Sequence, residues 1–501
     1  MVHYTSTKQI SIEEFKTPFY FGLDKHNRWA RLATRIPWDE FAAIYAKTLC
    51  EDFGRPALDA RRVIGALIIK YKKGLSDEET IEEIKENPYL QFFIGYEEFS
   101  HKAPFDPSLF VTLRERLGVA VFEELTEAFL AGVREVEEVA RSKKNKSKDD
   151  DDACDASESP SKEEPSRQGT LILDASVAPQ DIKFPTDLDL LNDSREHTER
   201  IIDDLWKPDP GKRKPRTYRR IARADYLATA KQRKKSAKTL RAALRKQLNY
   251  TKRNIKTINK MLDAEPGASL PLSAKNLKTF WIVQEVYRQQ KKMYEHKVHS
   301  VSDRIVNIAQ PYVRPIVRGK AGKQTEFGAK ISVSLVNGYA FIDRLSWDAF
   351  NESTDLSMQV ERYRDRFGYY PETVIADNIY GTRNNRRFLK GLNIEFSGKA
   401  LGRPPKLPPQ EARLLRNQRR AQQRLRNQIE GKFGEGKRRY DLDLVKAKTM
   451  STSESWIAAV FFVMNLARYQ RMASFLSLFR WLKNFKERVF SRPKIAFCCC
   501  I

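Results

Sequence analysis

Three acidic residues stand where oxygen donors could gather. Asp174 follows the apolar run Leu171-Ile172-Leu173, and Asp377 follows Thr373-Val374-Ile375-Ala376. Glu430 lies in a helical stretch, Pro409 to Phe433, otherwise dense in arginine (Arg413, Arg416, Arg419, Arg420, Arg424, Arg426). A lone aspartate after a strand is ordinarily a turn or capping residue. Three acids without a local ion-pairing pattern, after two strands and in a late helix, are a different arrangement. If both strands are central, the two aspartates converge at one edge of a sheet core. Such a set suits hard divalent cations, which take oxygen ligands. Two of these ions about 4 Å apart can activate an attacking oxygen and stabilise a leaving one at a phosphodiester. Three carboxylates suffice for two ions if one of them bridges.

The elements that must position these acids can be read in order. Leu171 to Leu173 is a short buried strand ending at Asp174. Ala329 to Val336 alternates Ile331, Val333 and Leu335 with polar neighbours, Asn337-Gly338 follows, and Tyr339 to Leu345 resumes the pattern. Asn-Gly between two alternating runs predicts a hairpin, because both turn residues must accept positive φ. A helix from Asp355 to Phe367, the strand Thr373 to Ala376, a helix from Arg383 to Lys390 and the strand Asn393 to Phe396 complete the series. This order predicts an α/β fold with a mixed sheet and helices beside it. Between the first strand and the hairpin lies an insertion, residues 191–320. From Gly211 to Lys260 it carries 19 Lys or Arg against one acid, Asp225. Leu240, Leu244, Leu248, Ile255, Ile258 and Leu262 form one apolar stripe; Phe280, Val283, Tyr287, Tyr294, Val298, Val301, Ile305 and Ile308 form a second, beyond Glu265-Pro266-Gly267. These stripes predict an antiparallel helical hairpin with a coiled-coil-like seam, each arm on the order of 50 Å long.

The remainder bounds the class. Residues up to Arg141 read as helical, with Val63, Leu67, Ile68 and Tyr71 on one face and a helix from Asp77 to Glu86 capped by Ser76 and stopped at Asn87-Pro88. Lys73-Gly74-Leu75 between two short helices resembles a helix-turn-helix, but the acids of the second helix would repel phosphates. Two uses stay open: a bundle for packing or dimer contacts, and DNA contact through the Arg61-Arg62 side. Residues 142–168 read as a charged linker unable to bury enough apolar surface to order itself. The 501-residue chain has 91 basic and 65 acidic residues, a net charge of +26, yet its 41% hydrophobic content suffices for real cores. That surplus calls for a polyanionic partner, nucleic acid first. Cys50, Cys154 and Cys498-Cys499-Cys500 form neither a metal spacing nor a disulfide framework. The terminal Cys-Cys-Cys-Ile has cysteine at two positions that a prenylation box gives to aliphatic residues. No signal-peptide pattern opens the chain, and its most apolar run, Trp456 to Leu466, is about half a bilayer span. Secreted, membrane-spanning and zinc-finger classes are thereby excluded, and a cytoplasmic, nucleoid-associated protein is expected.

From Gly169 onward the chain resembles the DDE transposases of bacterial insertion sequences, in the broad superfamily that includes insertion sequences four, five and eleven-eighty-two, with the eleven-eighty-two-like group the nearest. The resemblance is carried by Leu173-Asp174-Ala175-Ser176 with Pro179-Gln180-Asp181-Ile182, by Trp347-Asp348-Ala349-Phe350-Asn351-Glu352, by Ala376-Asp377-Asn378-Ile379-Tyr380, and by Ser397-Gly398 with Leu401-Gly402-Arg403-Pro404. Its most specific part is Arg426-Asn427-Gln428-Ile429-Glu430-Gly431-Lys432-Phe433-Gly434-Glu435-Gly436-Lys437. The family signature there is tyrosine, two residues, arginine, three residues, glutamate, six residues, lysine. Arg426, Glu430 and Lys437 match, and Gln423 stands at the tyrosine position, a departure. Trp38 to Leu117 also resembles the N-terminal domain of these transposases.

The resemblance implies a ribonuclease-H-like catalytic core with Asp174, Asp377 and Glu430 as catalytic metal ligands for two Mg²⁺ ions, Mn²⁺ substituting. Arg426 and Lys437 then contact phosphate, or pair with Glu430; Asn378 orients a ligand water or caps the next helix. The expected organisation is an all-α N-terminal domain (1–141), the linker, a core formed by 169–190 and 321–470, the basic helical insertion between strands one and two, and a helical tail (471–501). Lys212, Arg213, Lys214, Arg216, Arg219 and Arg220 are expected to bind DNA. The activity implied is cleavage at the element's terminal inverted repeats and joining of the 3′-OH ends to target DNA. A homodimer on double-stranded DNA would carry it out, with no nucleotide cofactor and no membrane. Two rivals remain: a basic DNA-binding protein without catalysis, and a metal-dependent nuclease without joining.

Overall fold

The computed structural model describes residues 12–17, 22–50, 56–131, 167–208, 210, 213–264, 271–320, 323–399, 401–402 and 408–490. Most of the expected linker, Lys212, Cys154 and the cysteine tail lie outside the described residues.

The N-terminal part is a helical bundle: α1 (Arg28–Ala33), α2 (Trp38–Ala46), α3 (Ala60–Lys73), α4 (Asp77–Glu86), α5 (Pro88–Phe93), α6 (Leu109–Arg116) and α7 (119–131). Local chemistry sets these boundaries. Asp59 accepts from the Arg61 and Arg62 amides at the start of α3, and Gly74 ends that helix at φ 69°. Ser76 and Glu79 form a reciprocal capping box on α4. The Arg61-Arg62 side is not a free basic surface. The Arg61 guanidinium donates to the carbonyls of Phe92 and Phe93 and lies 4.8 Å from the Trp38 ring centre, so it closes the end of α5.

The second part holds a six-stranded sheet: β1 (Thr170–Pro179), β2 (Arg314–Lys320), β3 (Lys323–Val336), β4 (Tyr339–Ser346), β5 (Thr373–Ile375) and β6 (Glu395–Phe396). Its order is β2-β3-β1-β5-β6, with β4 also on β3. β1 is antiparallel to β3 and parallel to β5, and β5 is parallel to β6. The hairpin expected from Asn337-Gly338 is present, with φ 51° and 83° at those residues. Gly328 sits where β1 and β3 come closest: a Cβ there would lie 2.1 Å from the Ala178 carbonyl oxygen. α12 (Leu356–Phe367) and α13 (Arg383–Gly391) form the crossovers, and α14 (Pro409–Arg439) crosses β1 and β5.

Two differences from the sequence reading concern strands. β1 does not end at Asp174 but runs on to Pro179, because β3 pairs with it residue by residue from Leu335 to Gly328. The segment 314–320, expected to be helical, is β2. Upstream, α8 (Asp187–Leu205), α9 (Arg219–Ala230), α10 (Ala237–Asp263) and α11 (Ala274–His296) fill the insertion. α10 and α11 are about 40 and 35 Å long. They do not close on each other as a two-helix seam. α8 supplies Leu190 to a cluster with Val283, Val286, Ile305 and Ile308, and Ile201, Ile202 and Leu205 to one with Ile258 and Phe280.

α15 (Met450–Phe490) explains the apolar run Trp456 to Leu466. That run is buried on nearly every side, and the helix packs on α3, α6 and β4. Phe462 meets Phe41 and Phe122, Trp456 meets Tyr71, and the Asn465 amide bonds both backbone groups of Ala340. The helical bundle and the sheet therefore share one hydrophobic core. No helix among the described residues is long and apolar enough to cross a membrane.

Within that core Asp77 joins Lys70 (2.9 Å) and Arg114 (2.7 Å), both nearly buried. Burial raises the Asp77 pKa, but the hydrogen bonds and charges of Arg114 and Lys70 outweigh it and hold the carboxyl below its ordinary value. Asp77→Asn leaves two cations unpaired and should cost about 2–4 kcal/mol of unfolding free energy at neutral pH. Because the folded pKa is depressed, that contribution is present above the unfolded carboxylate value and lost as pH falls. The gap between wild type and variant in denaturant titrations should begin to narrow as pH falls through about 4 and close only below the depressed folded pKa.

Candidate active site

The sheet register brings the two aspartates together. β1 and β5 are parallel with Ile172 opposite Ile375. Two residues beyond those positions come Asp174, within β1, and Asp377, just past the end of β5. Asp174 is half-buried, and its carboxylate accepts from the Ala175 amide at 2.8 Å. Asp377 is exposed, caps a short 3-10 turn and accepts from the Asn378 amide at 2.6 Å. Asn378 itself opens that turn and is exposed.

The third acid arrives on α14. Ile429 and Phe433 are buried and fix the helix, which turns Arg426, Glu430, Gly434 and Lys437 along one stripe. These residues line a cleft of about 630 Å³ together with Asp174, Asp377, Ser176, Lys330 and Glu352. Arg426 Nη2 lies 2.6 Å from Glu430 Oε1.

One lining acid has no part in the sequence reading as a site residue. Glu352, in the turn after β4, faces the cleft and pairs at 2.9 Å with Lys330 of β3. Its only sequence signal is its place in Asn351-Glu352, a segment that carries the family resemblance. Burial pushes the Asp174 carboxyl up to about 6, against the Ala175 hydrogen bond; Glu352 and Glu430 add to the rise, and Arg426 opposes it.

The donors are all hard oxygens around a carboxylate whose charge is disfavoured, a setting that fits divalent cations. Among the described residues, however, no three such groups stand in a metal-holding arrangement, and Glu430 is paired with Arg426. The expected DNA contacts before and at the start of α9 do not line the cleft. Arg213, Arg216 and Arg220 are exposed, while Lys214 and Arg219 both pair with Asp203, at 2.7 and 2.8 Å.

Two family models match this chain. One, described as a transposase domain, covers residues 19–116; the other, described as a transposase DDE domain, covers residues 374–467. The second match contains Asp377, Arg426, Glu430 and Lys437, and Asp174 lies outside it. An uncharacterized protein, ORF8 in the nfe locus of Rhizobium meliloti, is 43% identical over 98 residues, 20% of this chain and 47% of that protein. The chain thus spans about half the length of the curated relative it matches. No solved structure matches.

The charges around Asp174 make opposite demands that substitution can separate. Glu352→Gln removes a negative neighbour and frees Lys330, so the Asp174 pKa should fall from about 6. Arg426→Gln should raise it. Carboxyl carbon NMR of Asp174 across pH 4 to 8 reads both, and shifts of the same sign would refute the assignment.

Proposed function

Proceeding from its kinship with the bacterial insertion-sequence DDE transposases, carried by both matched segments, we propose that this chain binds the inverted repeats ending its element, cleaves there and joins the ends to target DNA. The observation that carries the reading is the convergence of Asp174, Asp377 and Glu430 on one cleft with Arg426 and Lys437. A ribonuclease-H-like core is supported by the strand path β4-β3-β1-β5-β6, in which only β3 runs against its neighbours.

Asp174, Asp377 and Glu430 would hold two Mg²⁺ ions, or Mn²⁺ in their place, which neutralise phosphate charge and make the attacking oxygen a better nucleophile. Glu430 must leave Arg426 to do so. The arginine then passes to the DNA phosphate, where with Lys437 it offsets the negative charge that grows as the bond breaks. Water attacks phosphorus first, and the P–O3′ bond breaks to leave a 3′-OH. That hydroxyl then attacks a target phosphodiester, one P–O bond forming as another breaks, so no nucleotide is consumed. The working form on DNA is a homodimer, because two ends are handled together. The exposed basic residues of the insertion, Arg213, Arg216 and Arg220 among them, hold flanking DNA.

The Arg426–Glu430 pair favours one rival: if it never opens, the chain is a basic DNA-binding protein without catalysis. Asp377→Asn and Glu430→Gln should each lower Mg²⁺-dependent cleavage of end-containing DNA by roughly 10³-fold or more, with affinity for the same DNA unchanged. Unaltered cleavage in either variant removes the catalytic reading. Precut ends that yield no joined product on a denaturing gel leave a nuclease.

A further inference from the structure

Of the arginines that crowd the first part of α14, the proposed reaction uses only Arg426. Between Pro409 and Gln428 the helix carries five more, Arg413, Arg416, Arg419, Arg420 and Arg424, against one acid, Glu411. The body of the protein holds only the later part of this helix, where Ile429 and Phe433 are buried. Among the described side chains from 408 to 428 none is buried, and Leu415, Gln422 and Arg426 alone are half-buried. These three are seven and four residues apart, so they mark one line along the helix, the line that faces the protein. Gln418 and Gln422 follow that line, each donating to Glu395 of β6 at 3.1 Å.

The opposite face is a stripe of Arg413, Asn417, Arg420, Arg424 and Asn427, spaced four, three, four and three residues apart. All five are exposed, and Arg413, Arg420 and Arg424 make no ion pair among the described residues. Nothing in the fold asks for this composition. A solvated helix face ordinarily mixes its signs so that residues four apart attract, whereas here Arg416, Arg420 and Arg424 succeed one another at that spacing and repel. Nor is it a seam for a second copy: the exposed leucines of the stretch, Leu414 and Leu425, are eleven residues apart with Gln418 and Ala421 between them. A polyanion would relieve the repulsion, and the side chains specify which. Arginine makes paired hydrogen bonds to O6 and N7 of guanine, and asparagine to N6 and N7 of adenine, both in a major groove about 12 Å wide that admits one helix. The stripe is on the order of 20 Å long, and the same helix carries Arg426, Glu430 and Lys437 into the cleft.

We propose that the outer face of α14 lies in the major groove of the duplex whose phosphodiester enters the cleft. Asn417, Arg420 and Arg424 meet base edges, and Arg413 and Arg416 meet the phosphates beside them. This assignment rests on the transposase reading and adds to it an element that reads sequence. Base contacts and the third carboxylate then belong to one helix, so recognition of the bases sets the position of the phosphodiester against Glu430.

The test measures binding by the full-length chain, without metal, to a duplex carrying the inverted repeat that ends the element and to a scrambled duplex of the same composition. Asn417→Ala and Arg420→Gln should each weaken binding to the repeat by about 10–100-fold. The scrambled duplex should lose nothing with the first and no more than about tenfold with the second, whose slope of log affinity against log salt stays within about 1 of wild type. Dimethyl sulfate methylates guanine N7 in the major groove, so guanines of the repeat that the wild type protects should become reactive with Arg420→Gln. Both substitutions suit an exposed helix position, and circular dichroism with the melting temperature checks folding. Equal losses on the two duplexes, or repeat guanines that the wild type leaves fully reactive, overturn the proposal and reduce the face to a contact of charge alone. Unchanged affinity of both variants for the repeat overturns it as well. Absence of metal-dependent cleavage by the wild-type chain, with selective binding intact, defeats the transposase reading instead, and the two failures are distinct.

Discussion

Negative charge gathered at a cleft beside a buried strand governs the design of the sheet domain. Partial burial disfavours the Asp174 carboxylate, and the negative charges of Glu352 and Glu430 add to this against Arg426. The parallel pairing of β1 and β5 leads Asp174 and Asp377 to one cleft, which Glu352 and Glu430 also line. Every cation lining the cleft answers that charge. Lys330 is bound to Glu352, Arg426 to Glu430, and Lys437 lies one helical stretch further along the same stripe. The cleft is thus a set of opposed charges that incoming cations and phosphates would rearrange, each side releasing partners for the other.

Rigid surroundings are what make such a charge cluster tolerable. β1 is central, flanked by β3 and β5, and its apolar residues are buried. α15 closes the sheet from one side while holding the helical bundle to it. A second buried charge group binds the same two parts together: Arg366 of α12 meets Asp343 of β4 at 3.1 Å and Glu123 of α7 at 2.6 Å. Burial pushes the Asp343 carboxyl up, and the Arg366 charge opposes this. Removing Arg366 would leave the buried Asp343 carboxylate without a cation, so this connection is specific in a way that the surrounding phenylalanines are not.

Strong local signals made much of this architecture legible in the sequence. Asn337-Gly338 dictated its hairpin, Ser76 its helix start, and the short runs before Asp377 and Phe396 their strands. What was illegible depended on partners distant in the chain. Ala175 to Pro179 is a strand only because β3 is long enough to pair with it; small and polar residues there carry no alternation. α8 is acidic and shows few apolar positions, yet it is the third helix that turned an expected two-helix seam into a bundle. β2 is rich in Gly, Pro and basic residues, and its pairing with β3 supplies what its composition lacks. Glu352 could not be singled out, because an acid in a turn is ordinary until the fold brings it beside Asp174. The spacing of Arg426, Glu430 and Lys437 foretold a shared helix face and left pairing of the arginine with the glutamate as one of two outcomes, and that pair is present.

The insertion divides its charge in a way that bears on how it can meet a polyanion. Its basic surplus is large, but it is not uniformly available. Lys214 and Arg219 are drawn to Asp203, Lys246 to Asp225, and the buried Arg195 to Glu199. Arg216 and Arg253 instead flank the Tyr218 ring, at 5.2 and 4.4 Å, and Arg241 lies 4.1 Å from the Tyr294 ring centre. Stacking fixes a guanidinium without neutralising it, whereas a carboxylate partner does both. The tyrosine-backed arginines therefore keep their full charge in a defined position. A phosphate approaching this bundle would meet them at little cost in side-chain entropy, while the acid-paired cations would first have to let go.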